Sequence, residues 1–218
     1  MNSPTTSALT TTVWKNWGHI DVPAPPVLVT PRLILRLPGD ADASAIVRYY
    51  DRNRVHLAPW EPARADAFYT EAFWRRQIAH LHGEFSQDRS CRFFLFDRAA
   101  ESRGEERTVV GNAGLSNVVR GVAQFATLGY GLGAAQQGRG LMFEALEAVL
   151  ACAFSDLCLH RIAANYLPRN ERSGKLLRRL GFVVEGYARD YLKINGRWED
   201  HVLTGLTNPD WRDDENTG

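Results

Sequence analysis

Residues 129–150 read GYGLGAAQQGRGLMFEALEAVL. Gly129, Gly131 and Gly133 close an alternating, strand-like segment. After a short break, Gly138-Arg139-Gly140 opens a helical pattern in which Leu141, Ala145, Leu146, Val149 and Leu150 share one face. A strand that ends in glycines and runs directly into a helix aims several backbone N–H groups, and the positive end of the helix dipole, at one spot. That is an anion site by construction. Gly138 and Gly140 carry no Cβ, so a diphosphate can reach the backbone, and Arg139 adds a mobile charge. The plainer alternative is a helix start that uses glycine only for its turn angles.

Two nucleotide readings fail on residue content. A Walker loop needs Lys-Ser or Lys-Thr after its last glycine, where this chain has Leu141-Met142. A dinucleotide loop needs a parallel βαβ unit with an acidic ribose partner downstream, whereas the strand here closes an antiparallel meander. If the turn holds an anion, a diphosphate carried on a long organic arm suits it better than either nucleotide.

Outward from the turn, the pattern of elements is regular. RLILRL (32–37) alternates as a half-buried strand, and Asp40 or Asp42 is placed to cap a short helix carrying Ala45, Ile46 and Tyr49. A second helix is predicted from Thr70, with Phe73, Trp74, Ile78 and Leu81 at helical spacing, and HLAPWEP (56–62) lies between the two as a proline-stiffened loop. Strands are predicted at 91–97, 108–119 and 124–132. The long helix follows, then a strand at 161–167 and a helix at 170–180 that turns Leu176, Leu177 and Leu180 inward. Strands at 183–194 and 198–206 are joined by Asn195-Gly196, a strong hairpin signal. This order describes an α/β fold, α+β in some schemes, around one mixed and mostly antiparallel sheet flanked by helices.

With 218 residues, 44% of them hydrophobic, the chain can bury one sizeable core. The reading is a tail at 1–29, one domain at 30–211 and a tail at 212–218. The N-terminal MNSPTTSALTTTVWKNW has neither a basic leader nor an apolar core, so it does not read as a secretory signal. No segment reads as a membrane span. Twenty-six Lys and Arg against 25 Asp and Glu leave a net charge of +1, so any basic site must be local. Cys91, Cys152 and Cys158 are an odd set in which Cys152 and Cys158 fall in or beside an apolar helical pattern, which suits free thiols in a reducing cytoplasm. Neither cysteines nor histidines have metal-ligand spacing, so no metal is expected.

These segments also carry a resemblance. GRGLMFEAL, HRIAANY, NERSGKLLRRLGF and TNPDW, with TPRLILR, HLAPWEP and GLSNVVRG upstream, resemble the acetyl-CoA-binding core of the GNAT N-acetyltransferases. Within that family they are similar to the RimJ/RimL type of ribosomal-protein alanine acetyltransferases, the RimJ branch most closely. The resemblance implies that main chain at Tyr130, Gly131, Leu132 and Gly133 bonds the pantetheine arm as an added strand would. It implies further that Gln137, Gly138, Arg139, Gly140 and Leu141 hold the pyrophosphate, and that Asn165 and Asn170 bond the pantetheine side. One departure is Ala135, where family loops often begin with Gln or Arg.

Acetyl transfer from a thioester to an amine needs a neutral amine, a polarised carbonyl and a proton for the departing thiolate. The tyrosine that many relatives use as the acid is replaced by Leu177, and Thr127 stands where many carry a glutamate base. Ser173 is placed as its relatives' serine is and can hydrogen-bond the sulfur, the plainer alternative being a hydroxyl satisfied by the first helical turn. A chain N-terminal amine, with a pKa near 7.7–8.0, costs only about 1–1.4 kcal/mol to deprotonate at pH 7, against roughly 4.6 for lysine. The missing glutamate therefore favours an α-amine acceptor. Asp190 and Asp200 are candidates to orient a water or the ammonium, while Glu185 reads as a surface carboxylate. Trp60, Glu61 and Asn117 are expected to line the acceptor cleft. Arg172, Lys175 and Arg179 share a helix face that can meet the CoA 3′-phosphate, pre-ribosome RNA or solvent.

The expected activity is acetyl-CoA-dependent acetylation of a protein N-terminus, that of an alanine-starting small-subunit ribosomal protein, by a cytoplasmic monomer or homodimer without a membrane partner. A small-amine acetyltransferase of the same fold, and a ribosome-assembly or CoA-binding factor with little turnover, stay open as alternatives.

Overall fold

The computed structural model describes residues 24–212. The secretory-signal reading and most of both predicted tails lie outside the described residues. The chain forms β1 (Leu28–Val29), β2 (Leu33–Arg36), α1 (Ala43–Arg52), α2 (Arg54–Leu57), α3 (Glu71–Ser86), β3 (Cys91–Asp97) and α4 (Arg98–Ser102). It continues with β4 (Val109–Val119), β5 (Phe125–Leu132), α5 (Leu141–Ser155), β6 (Arg161–Tyr166), α6 (Glu171–Arg179), β7 (Val183–Ile194) and β8 (Arg197–Thr207). The strands make one eight-stranded sheet in the order β1-β2-β3-β4-β5-β6-β8-β7. All pairs are antiparallel except β5 with β6.

Local chemistry sets several boundaries. The Thr70 hydroxyl caps α3 by accepting the Phe73 N–H, and the Asn170 side chain caps α6 by accepting the Ser173 N–H. Asn195 and Gly196 both have positive φ, +44° and +83°, which the right-handed strand twist of a tight hairpin favours. Two apolar clusters flank the sheet. One packs α5 against Leu95, Leu115, Ala126 and Ile162. The other packs α1 and α3 against Phe94, Phe96 and Val109, with Trp74 stacked on Tyr50 at 5.1 Å. Within the first cluster, burial pushes the Cys91 thiol well up and that of Cys152 to about 12, so both act as small hydrophobes.

The structure departs from the sequence reading in several places. β5, read as closing an antiparallel meander, also opens a parallel β5-α5-β6 unit, and β1 forms within the predicted N-terminal tail. Asp42 does not cap α1 with its side chain; its carboxylate accepts the Gly39 N–H and pairs with Arg36 at 2.6 Å and Arg107 at 3.1 Å. Part of HLAPWEP is helical, as α2. The short α4 forms where no helix was predicted, because Asp97 accepts the N–H groups of Ala99 and Ala100. Of the three leucines expected to face inward from α6 and its end, only Leu177 is fully buried, while Leu176 and Leu180 are half-buried at the core's margin.

The parallel pair positions the site. β5 and β6 pair only over Phe125–Thr127 and Arg161–Ala163 and then diverge. From Leu128 to Leu132 the β6-facing edge of β5 therefore carries backbone donors and acceptors with no strand partner.

Candidate active site

At the end of β5 the chain makes a single 3-10 turn over Ala134–Gln136 and enters α5 through Gly138 and Gly140, both with φ of +74°. This left-handed conformation is disfavoured for residues bearing a Cβ. No side chain caps α5, so the N–H groups of its first turn face outward unsatisfied. The turn is anchored from behind. Arg32 donates to the Arg139 carbonyl at 2.8 Å and pairs with Glu144 at 2.7 Å, and the Thr30 hydroxyl donates to Glu144 at 2.6 Å. Burial pushes the Glu144 carboxyl up, but the bonds from Thr30 and Arg32 outweigh it and hold the group below its ordinary value.

A cleft of about 850 Å³ runs from this turn along the open edge of β5. Of the residues predicted to hold the cosubstrate, Tyr130, Gly131, Leu132, Gln137, Gly138, Gly140, Leu141 and Asn170 line it, as does Ser173. Arg172, Lys175 and Arg179 stand along the same wall; Arg172 donates to the Gln137 amide oxygen, and Arg179 lies 3.8 Å from the Phe143 ring centroid. Gly133 is turned into the sheet, its N–H bonded to Val110 at 2.9 Å. Ala135 presents nothing to the cleft. Gln137 faces it, with its amide nitrogen 3.0 Å from His56 Nε2. The sequence reading passed over His56, which sits 3.2 Å from the Leu132 carbonyl.

A second cavity of about 410 Å³ lies on the other side of β5 and shares Trp60, Glu61, Tyr130, Asn170 and Ser173 with the first. Asn165 lines this second cavity and not the first, with its amide donating to the Tyr191 hydroxyl at 3.3 Å. Where the two cavities meet, the Tyr130 hydroxyl lies 2.7 Å from Ser173 Oγ. Burial pushes the Tyr130 hydroxyl up to about 12, opposed by the bond with Ser173. The Ser173 hydroxyl is thus engaged by a side chain at the cavity junction, which the sequence reading, having used only the main chain of Tyr130, did not contain.

Glu61 reaches the same junction from the α2–α3 loop. The loop is tied to the far hairpin by the Asn195 N–H, which donates to the Glu61 carbonyl at 2.9 Å, and Arg169 donates to the Pro59 carbonyl beside Trp60. Burial raises the Glu61 carboxyl above its ordinary value, with Arg64 at 3.4 Å working the other way. A Cβ on Gly131 would stand 3.6 Å from Glu61 Oε1, so a larger residue on β5 would crowd the carboxylate.

Arg139, in the turn itself, lines neither cavity, and two further predicted site residues stand elsewhere. Asn117, with φ of +52°, occupies an irregular stretch of β4, and Asp190, with φ of +47°, a bulge between β7 and β8. Neither lines either cavity. The Asp190 N–H donates to Asp200, whose carboxylate also accepts the Tyr187 hydroxyl, and Glu185 pairs with Arg161. Among the described residues no group of three His, Cys, Asp or Glu side chains is placed to hold a metal ion.

Comparison with known proteins places the chain in a family. A family model for the acetyltransferase (GNAT) domain matches residues 32–183. The chain is 46% identical over 184 residues to the [ribosomal protein uS5]-alanine N-acetyltransferase of Escherichia coli, a match spanning 84% of this chain and 92% of that one. It superposes on the crystal structure of the ribosomal-protein-S5-alanine acetyltransferase from Vibrio fischeri with a TM-score of 0.80 and 38% identity, covering 86% of this chain and 100% of that chain. The structure of Mycobacterium smegmatis RimJ in complex with CoA-disulfide is similar at a TM-score of 0.75 and 29% identity, covering 84% of this chain and 86% of the other.

Proposed function

The chain belongs to the GNAT acetyltransferase family, and from that premise we propose that it transfers the acetyl group of acetyl-CoA to the N-terminal α-amine of an alanine-starting small-subunit ribosomal protein in the cytoplasm. The observation that carries this reading is the junction of two cavities at the Tyr130–Ser173 pair. One cavity fits an anionic, amide-bearing arm, because it joins an uncapped helix N-terminus to an unpaired strand edge. The other opens toward an acceptor and brings a carboxylate, Glu61, to the same point.

Acetyl-CoA supplies an activated thioester carbonyl. Main chain from Tyr130 to Leu132 orients the pantetheine amides, and the turn at Gln137–Leu141 holds the pyrophosphate. Glu61 attracts the acceptor ammonium and takes one proton from it. For an α-amine this is a short step, since its pKa near 7.7–8.0 leaves it partly neutral at pH 7. The C–N bond then forms as the C–S bond breaks. The amine sheds its second proton to water, and Ser173 gives one to the departing sulfur. Tyr130, 2.7 Å from Ser173 and protonated at every working pH, replenishes that proton and regains its own from the water that took the amine's.

Incubation with acetyl-CoA and peptides starting with Ala, Ser or Met, beside free amino acids and polyamines, tests the proposal by thiol release and peptide mass. Acetylation of the Ala-start peptide is expected. Turnover confined to the small amines, or none with any acceptor, overturns it.

A further inference from the structure

The acceptor cavity is asymmetric in charge. Glu61 stands at its junction with the cosubstrate cleft, and Arg92 lines it farther out on β3. Between them the floor is bare backbone, because Arg92 pairs with Gly114 on β4, and Gly114 pairs with Gly129 on β5. A Cβ at Gly114 would stand 2.8 Å from the Arg92 Cα and 3.0 Å from its Cγ, so the arginine stem lies across the space the glycine leaves. A Cβ at Gly129 would meet nothing within 4 Å, so that position opens into the cavity.

One charged group along this floor is unspent. Arg92 is exposed and joins no ion pair among the described residues; Glu84, the carboxylate whose titration it influences, is engaged by Arg89 at 2.5 Å.

We infer that Arg92 is a specificity residue that binds a carboxylate side chain near the start of the acceptor peptide. The inference rests on the α-amine acceptor proposed above. Glu61 lies over Gly131, two residues along β5 from Gly129, and Arg92 lies two strands across. With strands roughly 4.8 Å apart and about 3.3 Å per residue, the ammonium and carboxylate subsites are separated by about 8 to 12 Å, depending on the reach of the arginine. An extended peptide crosses that distance by its third or fourth residue. The carboxylate of a free amino acid, two bonds from its own amine nitrogen, falls far short.

The test uses peptide amides that begin with alanine and carry Glu, Gln or Lys at positions three and four, acetylated by the full chain and by its Arg92→Gln and Arg92→Glu variants. A charge-assisted pair in a half-open site should favour Glu over Gln by roughly fivefold in kcat/KM. Arg92→Gln should erase that preference, and Arg92→Glu should turn it toward Lys. Affinity for acetyl-CoA, measured by calorimetry, should be unchanged in both variants and shows that they are folded. Equal use of Glu, Gln and Lys peptides by the unaltered chain, or a preference that survives Arg92→Gln, overturns the inference while leaving the proposed activity in place. Failure to acetylate any of the peptides overturns the α-amine acceptor itself.

Discussion

Replacing Tyr130 with phenylalanine deletes one oxygen, the atom 2.7 Å from Ser173 Oγ. If that contact only steadies the fold, its loss costs about 1 kcal/mol, the usual net worth of a hydrogen bond. If the pair delivers a proton to sulfur, turnover falls roughly 100-fold or more, because general acid catalysis contributes on that scale. A 100-fold fall corresponds to about 2.7 kcal/mol in the barrier, so the two roles are separable in magnitude. Ser173→Ala should produce a similar fall. The double variant should lose little more than the worse single one, since two groups passing one proton act as a unit. Two independent groups would instead multiply their losses, to roughly 10,000-fold. Because burial holds the Tyr130 hydroxyl near 12, it stays protonated from pH 6 to 9, and the defect should be flat across that range. The assay is thiol release at saturating acetyl-CoA, with urea unfolding of each variant in parallel. Activity of Tyr130→Phe within fivefold of the parent at lowered stability, or multiplicative loss in the double variant, would refute the proton route.

Two further outcomes are expected. Burial raises the Glu61 carboxyl, and its ionised form is the active one, so activity should fall with decreasing pH through a value above the ordinary carboxylate range. In Glu61→Gln that acid limb should vanish from the kcat/KM profile and kcat should drop at least tenfold; a limb that persists assigns it to another group. Gly138→Val should fold, because nothing lies within 4 Å of its Cβ, but it forces a β-branched residue to φ of +74°. The strain of about 1–2 kcal/mol either distorts the turn or costs stability, and calorimetry should show acetyl-CoA binding roughly tenfold weaker. Unchanged affinity would remove the turn from the site.

The features legible in the chain are those whose causes are local. Asn195-Gly196 announces a hairpin because two adjacent residues with positive φ suffice to make one. Thr70 and Asn170 announce helix starts because a cap bonds an N–H three residues away. The spacing of Leu141, Ala145, Leu146 and Val149 announces the buried face of α5, and all four are fully or nearly fully buried. Asp42 shows where local reasoning stops. Its sequence position suits a cap, but partners 6 and 65 residues away, Arg36 and Arg107, offered its carboxylate a better arrangement.

Asn117 and Asp190 fail in a related way. Each belongs to a segment that reaches the neighbourhood of the site, and in each the strand carries irregular pairing that places the residue away from both cavities. The register shifts by one residue beside Asn117 and by two beside Asp190, and such irregularities re-aim the side chains within them. Nothing in the residues themselves shows which positions will bulge.

By itself, the sequence determined the order of the longer strands and helices, the glycine turn and the class of ligand that turn suits, because dihedral preference, capping and periodicity act within a few residues. Only the tertiary structure decided that β5 and β6 part after three paired residues. It also decided that Tyr130 meets Ser173 across 43 positions of chain, that Glu61 stands half-buried at their junction, and that Arg92 faces two bare glycines. Those outcomes depend on how whole strands twist and pack against whole helices, and a proton route or a charged subsite exists only once that packing has brought distant groups to one cavity.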